Sequence, residues 1–323
     1  MSLLQGVFKL LFTTWVVITL ATTTTQAQTN IQQPQNVEQQ RVKLNVLVTD
    51  ASNRPVDDVK QEEFHVFEND VPQTISFFSK EDLPLLYGIV IDNSGSFKDV
   101  LKPVVNAAKI IVNQNKPGDE TLLIRFIDSG KIETVKDFTS DKAALSSLLD
   151  TLYIEGGESA VIDAVYLTAQ RISQYRKDDG INRRAILLMT DGEDRSSYYR
   201  KEQLIELLRK ENIQVFIIGI VNVLDDRSSS QVRSPRERAT SLINSLTKES
   251  GGLAFFPKSS NELQNIANQL MLYFRTQYVI GYIPASKEGQ KPYRKVNVKL
   301  TDAPELKKYV VTTRSGYTVS SKR

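Results

Sequence analysis

Apolar residues are spaced in two different ways along the chain, and the change divides it into three parts. From Val42 to Val48 they alternate with polar or smaller residues, which is the period of a half-buried strand. The same period returns after Tyr278. It predicts antiparallel strands at Phe64–Phe67, Val71–Phe78, Val279–Ile283, Val296–Leu300 and Tyr309–Thr313, with a turn at residues 68–70.

The central part has a different pattern, in which continuous apolar strands alternate with helical periods. Leu85–Ile91 and Arg184–Thr190 show no polar face, which is typical of strands in a parallel sheet covered on both sides. In the helix predicted at residues 100–111, Pro103 is tolerated only if it lies in the first turn. Other strands are predicted at residues 121–126, 132–135, 213–221 and 253–256, and helices at residues 100–111, 142–152, 161–172, 201–210, 237–248 and 261–274. This alternation, over about 190 residues, predicts a doubly wound α/β domain with a mostly parallel, Rossmann-like sheet.

These patterns predict an α/β domain, residues 85–275, inserted into a β-rich, sandwich-like unit. The first strands of that unit come from residues 41–84 and the last from residues 276–323, and the two segments are expected to pack together. Two separate small β modules are the competing arrangement, although each alone would have a thin core.

Residues 1–27 have the features of a signal peptide. Lys9 supplies a positive charge, Leu10 to Ala21 form an apolar core, and Ala27 suits cleavage before Gln28. That core, about a dozen residues, is too short to span a bilayer as a helix. Residues 28–40 are rich in Gln and Asn and are expected to form a flexible leader. We therefore expect an exported protein, periplasmic or extracellular at the cell surface, with no stable membrane span in the mature chain. A retained N-terminal anchor is the alternative.

Composition narrows the possible functions. The net charge of +3 argues against nucleic-acid binding driven by electrostatics. The chain has no cysteine, which excludes disulfides, thiolate metal sites and cysteine nucleophiles. Its single histidine, His65, offers no basis for a histidine zinc cluster or a Ser-His-Asp triad.

Polar groups follow the predicted parallel strands at the points where ligands bind in open α/β sheets. Asp92 ends one such strand and Asp191 ends another, while Ser159 lies at the start of a helix. With Ser94 and Ser96 they form a set of two carboxylates and three hydroxyls. An all-oxygen set of this kind suits Mg²⁺, or Mn²⁺ as a close substitute, with water completing the coordination.

Each segment also has a plain structural interpretation. The string Asp92 to Ser96 is a common turn, Ser159 alone is most simply a helix N-cap, and Thr190–Gly192 alone is a turn that ends a strand. The metal hypothesis gains weight because all three segments occur in the right order and at suitable elements.

These segments resemble the motifs of the von Willebrand factor type A (VWA) domain. Its first motif, Asp-x-Ser-x-Ser, is met at residues 92–96, and its third, a strand ending in Thr-Asp-Gly, at residues 190–192. The second element resembles residues 156–164, with Glu158 as an extra residue and Ser159 in place of the usual Thr. The flanking segments at residues 46–56, 64–73, 278–282 and 314–317 resemble those of a group of exported bacterial VWA-related proteins.

The resemblance implies a metal-ion-dependent adhesion site. Ser94, Ser96 and Ser159 would touch the metal directly, and Asp92 and Asp191 would bind it directly or through water. The function then expected is non-enzymatic adhesion or assembly, in which the metal accepts an Asp or Glu carboxylate from a partner protein. Residues around the site would adjust specificity, namely Glu193, Asp194, Tyr198 and Tyr199.

Two alternatives remain open at this point. A strand ending in Asp beside a second acidic strand end is also typical of Mg²⁺-dependent phosphatases with an aspartyl nucleophile. Those enzymes place a second Asp two residues later as general acid, where this chain has Ser94. The other alternative is a structural envelope protein with a vestigial site.

Overall fold

The computed structural model describes residues 41–80, 82–176, 183–227, 233–284 and 292–319. The predicted signal peptide and leader, residues 1–40, lie outside the described residues. The strands are β1 Val42–Thr49, β2 Phe64–Glu68, β3 Val71–Gln73, β4 Ile75–Ser79, β5 Leu85–Asp92, β6 Glu120–Phe126, β7 Ile132–Thr139, β8 Arg183–Thr190, β9 Gln214–Gly219, β10 Ala254–Phe255, β11 Tyr278–Tyr282, β12 Tyr293–Leu300, β13 Val310–Thr312 and β14 Gly316–Thr318. The helices are α1 Leu101–Asn113, α2 Lys142–Leu149, α3 Val161–Tyr175, α4 Lys201–Glu211, α5 Pro235–Ser250 and α6 Ser260–Arg275. Of the helices in these ranges, none combines the length and apolar character needed to cross a membrane.

The central residues form a six-stranded sheet in the order β10-β9-β8-β5-β6-β7. All of its strand pairs are parallel except β6 with β7. Apolar residues of α1, α2 and α6 pack on one face, and those of α3, α4 and α5 pack on the other. Because both faces are covered, β5 and β8 are buried along their whole length. The predicted doubly wound α/β fold is confirmed.

The neighbouring strands β5 and β8 lie at the point where the winding of the sheet reverses. From β5 the chain passes through α1 to β6, whereas from β8 it passes through α4 to β9 in the opposite direction. The two connections leave a crevice above the carboxyl ends of these strands, which is where open α/β sheets bind ligands.

The remaining strands of the described chain form two four-stranded antiparallel sheets, ordered β13-β1-β11-β4 and β14-β12-β2-β3. Each sheet combines strands from both ends of the chain, as in the pairing of Leu44 with Ile280 and of Val66 with Val298. Apolar side chains from both sheets pack into one shared cluster. The prediction of a β unit with an inserted α/β domain is therefore confirmed, and two separate β modules are excluded.

The segment 71–78, predicted as one strand, is divided between the two sheets. β3 pairs with β2, whereas β4 pairs with β11 in the other sheet. The two-residue period continues through Thr74 and carries no information about the partner strand. The predicted turn at residues 68–70 is present, and Asn69 and Asp70 have φ angles of 49° and 66°, which Asn and Asp tolerate better than most residues. β14 was not predicted as a strand.

The chain enters and leaves the α/β part at the amino ends of the parallel strands. There the buried guanidinium of Arg183 donates to the main-chain oxygens of Phe274 and Arg275 at the end of α6. The Asp119 carboxylate accepts the N–H of Leu85 at 2.9 Å and forms an ion pair with Arg275. These contacts lie at the edge of the sheet opposite to the crevice.

Candidate metal site

Two buried carboxylates lie side by side at the carboxyl ends of β5 and β8. The strands are in parallel register, with Ile91 opposite Met189, so the residues that follow meet at one edge of the sheet. Asp92 and Asp191 are both fully buried. Burial of two like charges is unfavourable unless a cation or hydrogen-bond donors compensate them.

The first motif supplies two hydroxyls to this pair. The Ser94 hydroxyl donates to Asp92 Oδ1 at 2.6 Å, and the Ser96 hydroxyl donates to Asp191 Oδ2 at 2.6 Å. The two hydroxyl oxygens are 3.2 Å apart. A single turn of chain after β5 thus connects both carboxylates.

Ser159 supplies the third hydroxyl. Its Oγ lies 2.9 Å from the Oγ of Ser94 and 3.2 Å from Asp92 Oδ2. Helix α3 begins at Val161 with Ala160 as its N-cap residue, so Ser159 is not the cap. Just before it, a Cβ at Gly157 would collide with the Ile127 side chain, whereas a Cβ at Gly156 would meet open space. Glycine at position 157 therefore lets this segment approach the sheet closely.

The electrostatics of the pair favour a bound cation. Burial, together with the charge of the neighbouring Asp191 carboxylate, raises the pKa of Asp92 to about 6. Burial also raises the pKa of Asp191. In the described ranges neither carboxylate forms an ion pair with Lys or Arg, and the guanidinium groups of Arg195 and Arg238 pair with Glu193 instead. A divalent cation would supply the missing positive charge.

The donor chemistry fits a hard cation. All five predicted residues present oxygen atoms, and the structure brings these atoms together within hydrogen-bonding distance of one another. Oxygen donors without sulfur or imidazole are preferred by Mg²⁺ and Mn²⁺. In the part of the chain that the structure describes, no three His, Cys, Asp or Glu side chains gather into a metal-binding group. A metal ion at this site would therefore need the serine hydroxyls as ligands in addition to the two carboxylates.

Two further residues hold the site in place. Thr190, which belongs to the strand-ending motif, donates from its hydroxyl to Asp92 Oδ2 at 2.7 Å. The side-chain amide of Asn93 donates to the Tyr153 carbonyl at 2.7 Å, and the main-chain carbonyl of Asn93 accepts the N–H of Glu155 at 3.0 Å. Asn93 thereby ties the segment that leads to Ser159 to the first motif. In the sequence, the only signal for this role of Asn93 is its position between the predicted ligands Asp92 and Ser94.

The four residues expected around the site have different roles. Glu193 is buried, and its carboxylate binds the Arg195 guanidinium at 2.6 Å. Asp194 accepts the N–H of Ile162 in the first turn of α3 at 3.1 Å. Tyr199 stacks on Tyr166, with ring centroids 3.8 Å apart. The fourth residue, Tyr198, leaves 85% of its surface exposed.

Comparison with known proteins gives the class of this fold and site. The sequence model of the von Willebrand factor type A domain matches residues 88–269, more than half of the 323 residues. The chain belongs to the VWA family. The match spans every residue of the candidate site. No curated protein matches the chain in sequence.

Several solved structures are similar in fold. An aerotolerance-related membrane protein from Bacteroides fragilis is 23% identical, with a TM-score of 0.44, covering 57% of this chain and 97% of the other. A von Willebrand factor type A protein from Catenulispora acidiphila is 12% identical, with a TM-score of 0.49, covering 88% and 75%. Proximal thread matrix protein 1 from the mussel byssus, solved with zinc in its metal-ion-dependent adhesion site, is 18% identical, with a TM-score of 0.46, covering 65% and 50%.

Proposed function

We propose that this VWA protein is a non-enzymatic, metal-dependent binding module for adhesion or assembly, and that it recognises an Asp or Glu carboxylate of a partner protein. The proposal is supported above all by one observation, the gathering of two buried carboxylates and three hydroxyls at the point where the sheet winding reverses. The residues that would hold Mg²⁺, or Mn²⁺, are Asp92, Ser94, Ser96, Ser159 and Asp191.

The balance of charge supports recognition of an anion. Two carboxylates only neutralise a divalent cation, and the three hydroxyls add no further negative charge, so the site carries no excess negative charge that would repel an incoming carboxylate. When bound, the cation supplies a positive centre with a coordination position open to a carboxylate oxygen. The role of this chain is to orient the five oxygen-bearing side chains, which Thr190 and Asn93 help to fix.

Two observations favour binding over catalysis. Ser94 occupies the position of the general acid in an aspartyl phosphatase, but its hydroxyl is neutral and donates to Asp92 at 2.6 Å. The single histidine, His65, lies in the β sandwich on β2, where its ring contacts the Thr301 hydroxyl. Neither residue can serve as a proton donor for phosphate transfer at this site at neutral pH.

We further propose that the protein acts outside the cytoplasm, in the periplasm or at the cell surface. This proposal rests on the predicted signal peptide at residues 1–27. Detection of the mature chain beginning at Gln28, by mass spectrometry of envelope and secreted fractions, would support it. A chain that keeps residues 1–27 in the envelope would favour the anchored alternative.

The central experiment is calorimetric titration of the purified protein with Mg²⁺ and Mn²⁺. We expect binding by the wild-type protein and none by Asp92→Ala or Ser94→Ala. Asp302→Ala is the matched control, because the Asp302 side chain is 87% exposed in the β-rich part. Titration of the Mg²⁺ form with acetate, repeated in EDTA, then tests carboxylate recognition. No metal binding by the wild-type protein would refute the proposal, and hydrolysis of a phosphate ester that Asp92→Asn abolishes would favour an enzyme instead.

A further inference from the structure

Exposed aromatic side chains lie beside the candidate metal site. Most of the exposed large apolar side chains in the described residues belong to the β sandwich or to helix surfaces. Tyr198 and Tyr153 instead belong to segments at the carboxyl edge of the parallel sheet, and they are 85% and 56% exposed. Exposed aromatic residues next to a binding site are frequent contributors to protein recognition.

The main chain at Tyr198 is held firmly. The Asp163 carboxylate, in the first turn of α3, accepts the N–H groups of Tyr198 and Tyr199 at 2.8 Å each. Asp163 itself is buried. The exposed ring therefore stands on an ordered loop, so that binding costs little conformational entropy in the main chain.

The Tyr198 ring is also supported from one side. It makes an edge-on contact with Tyr199, with centroids 5.4 Å apart and an interplanar angle of 85°. Tyr199 in turn stacks on Tyr166. A row of three aromatic rings thus ends in one that is open to solvent.

The loop that carries Tyr198 is attached to one of the candidate metal ligands, Ser159. The carbonyl of Ser159 accepts the N–H of Arg195 at 2.8 Å and that of Ser196 at 3.2 Å. The position of Tyr198 is therefore set by the same segment that places the Ser159 hydroxyl.

Tyr153 has a corresponding position on the β6 side of the site. Its carbonyl is bound by Asn93, the residue between the ligand positions Asp92 and Ser94. Its ring lies against the Arg125 guanidinium of β6, 4.5 Å from the ring centroid, and keeps its outer part exposed. Tyr198 follows β8, so the two tyrosines flank the strand ends that carry the carboxylates.

We propose that Tyr198 and Tyr153 contact apolar side chains on either side of the partner's carboxylate, so that the partner is a protein segment in which an Asp or Glu is flanked by apolar residues. This proposal rests on the proposed function, and it adds which partner segments the site would prefer. The metal site would bind any carboxylate, whereas the two rings favour a segment with apolar neighbours.

The test uses synthetic nine-residue peptides of Ser and Gly with a central Asp. One peptide has no other feature, and three have Phe placed one, two or three positions away on both sides. A fifth, with Asn in place of Asp, is matched to the best of these. Binding to the full chain is measured by titration in Mg²⁺. We expect the best Phe-flanked peptide to bind more tightly than the plain peptide by about 3- to 10-fold, the usual contribution of an aromatic contact.

Variants connect this preference to the two tyrosines. Tyr198→Ala should remove most of the preference and Tyr153→Ala part of it, while Tyr198→Phe should keep it. Tyr175→Ala is the matched control, because Tyr175 is 44% exposed at the far end of α3. The Mg²⁺ affinity without peptide should be unchanged in all four variants.

The outcomes separate the two proposals. If no Asp peptide binds to the wild-type protein in Mg²⁺, both proposals are overturned. If plain and flanked peptides bind equally, carboxylate recognition holds and the aromatic contact is refuted. A loss of Mg²⁺ affinity in Tyr198→Ala would assign Tyr198 to support of the metal loop and would also refute the contact.

Discussion

The Ser159 hydroxyl lies 2.9 Å from the Ser94 hydroxyl, although 65 residues separate them in the chain. This contact joins the segment before α3 to the turn after β5 and completes the set of five oxygen-bearing side chains. The extra residue Glu158 does not prevent it, since the Glu158 carbonyl accepts the Ser196 hydroxyl and the Ser159 side chain still faces Asp92.

Replacement of Ser159 tests whether it is a metal ligand. Ser159→Ala should lower the Mg²⁺ affinity by about 10- to 100-fold, because an oxygen donor is lost, whereas Ser159→Thr should retain most of the affinity. Calorimetric titration measures both. Wild-type affinity in Ser159→Ala would show that this hydroxyl does not contact the metal.

The raised pKa of Asp92 makes metal binding dependent on pH. In the metal-free protein burial and the Asp191 carboxylate raise this pKa to about 6, so protons compete with Mg²⁺ below that pH. The increase in melting temperature caused by Mg²⁺ should therefore be small at pH 5 and should grow through pH 6 to pH 7.5. Equal increases at pH 5 and pH 7.5 would contradict the prediction.

In the metal-free protein, a rise in pH has the opposite effect, because the Asp92 carboxyl then lowers the stability. Its pKa is higher in the folded state than the unfolded value of 3.8, so its contribution to the free energy of unfolding is largest below pH 3.8. That contribution is lost as the pH rises through about 6. The stability of the wild-type protein in EDTA, relative to Asp92→Asn, should thus decrease between these pH values in urea unfolding experiments.

Neighbouring glycines provide a matched pair for the loop before Ser159. Gly157→Ala should reduce the free energy of unfolding by about 1–3 kcal/mol, because its Cβ would collide with Ile127. Gly156→Ala should have little effect, since its Cβ would meet open space. Thermal unfolding in EDTA measures the difference, and equal stability of the two variants would refute the close approach.

A buried polar group in the β sandwich gives a test that is independent of metal. Glu68 accepts the hydroxyls of Tyr282 and Tyr317 at 2.8 and 2.7 Å and forms an ion pair of 3.1 Å with Arg294. Glu68→Ala should lower the free energy of unfolding by about 3–5 kcal/mol, because it leaves a buried guanidinium without its partner. Tyr317→Phe, which removes one hydrogen bond, should cost only about 1 kcal/mol. Urea unfolding would distinguish these costs, and equal values would contradict the argument.

The limits of the α/β domain, residues 85–275, remain a prediction that excision can test. The candidate site lies at the edge of the sheet opposite to the points where the chain enters and leaves, so the isolated segment should bind Mg²⁺ like the full chain. It should be less stable, because Leu47 packs on the α6 side of the α/β core and the Tyr273 hydroxyl binds the Asn53 carbonyl. Each apolar side chain that excision exposes to solvent lowers the free energy of unfolding by about 1.5–3 kcal/mol. Loss of Mg²⁺ binding by a folded segment would show that the site depends on the sandwich.

Much of the fold could be predicted from local pattern. The unbroken apolar runs of β5 and β8 indicated strands buried on both faces, and the two-residue period at both ends of the chain indicated half-buried strands. The separation of segment 71–78 into β3 and β4 could not be predicted in this way, since the period is the same in both sheets.

The candidate site, like the fold, could be predicted only in part. By itself, the sequence determined which residues could supply oxygen ligands and that Asp92 and Asp191 end parallel strands. Only the tertiary structure decided that Ser159 faces Asp92 instead of capping α3, that Thr190 and Asn93 hold the site, and that Tyr198 is exposed while Glu193 is buried. The physical reason is range: strand and helix periods arise from contacts close in sequence, whereas the direction of a loop side chain depends on neighbours that only the packing of distant segments brings together.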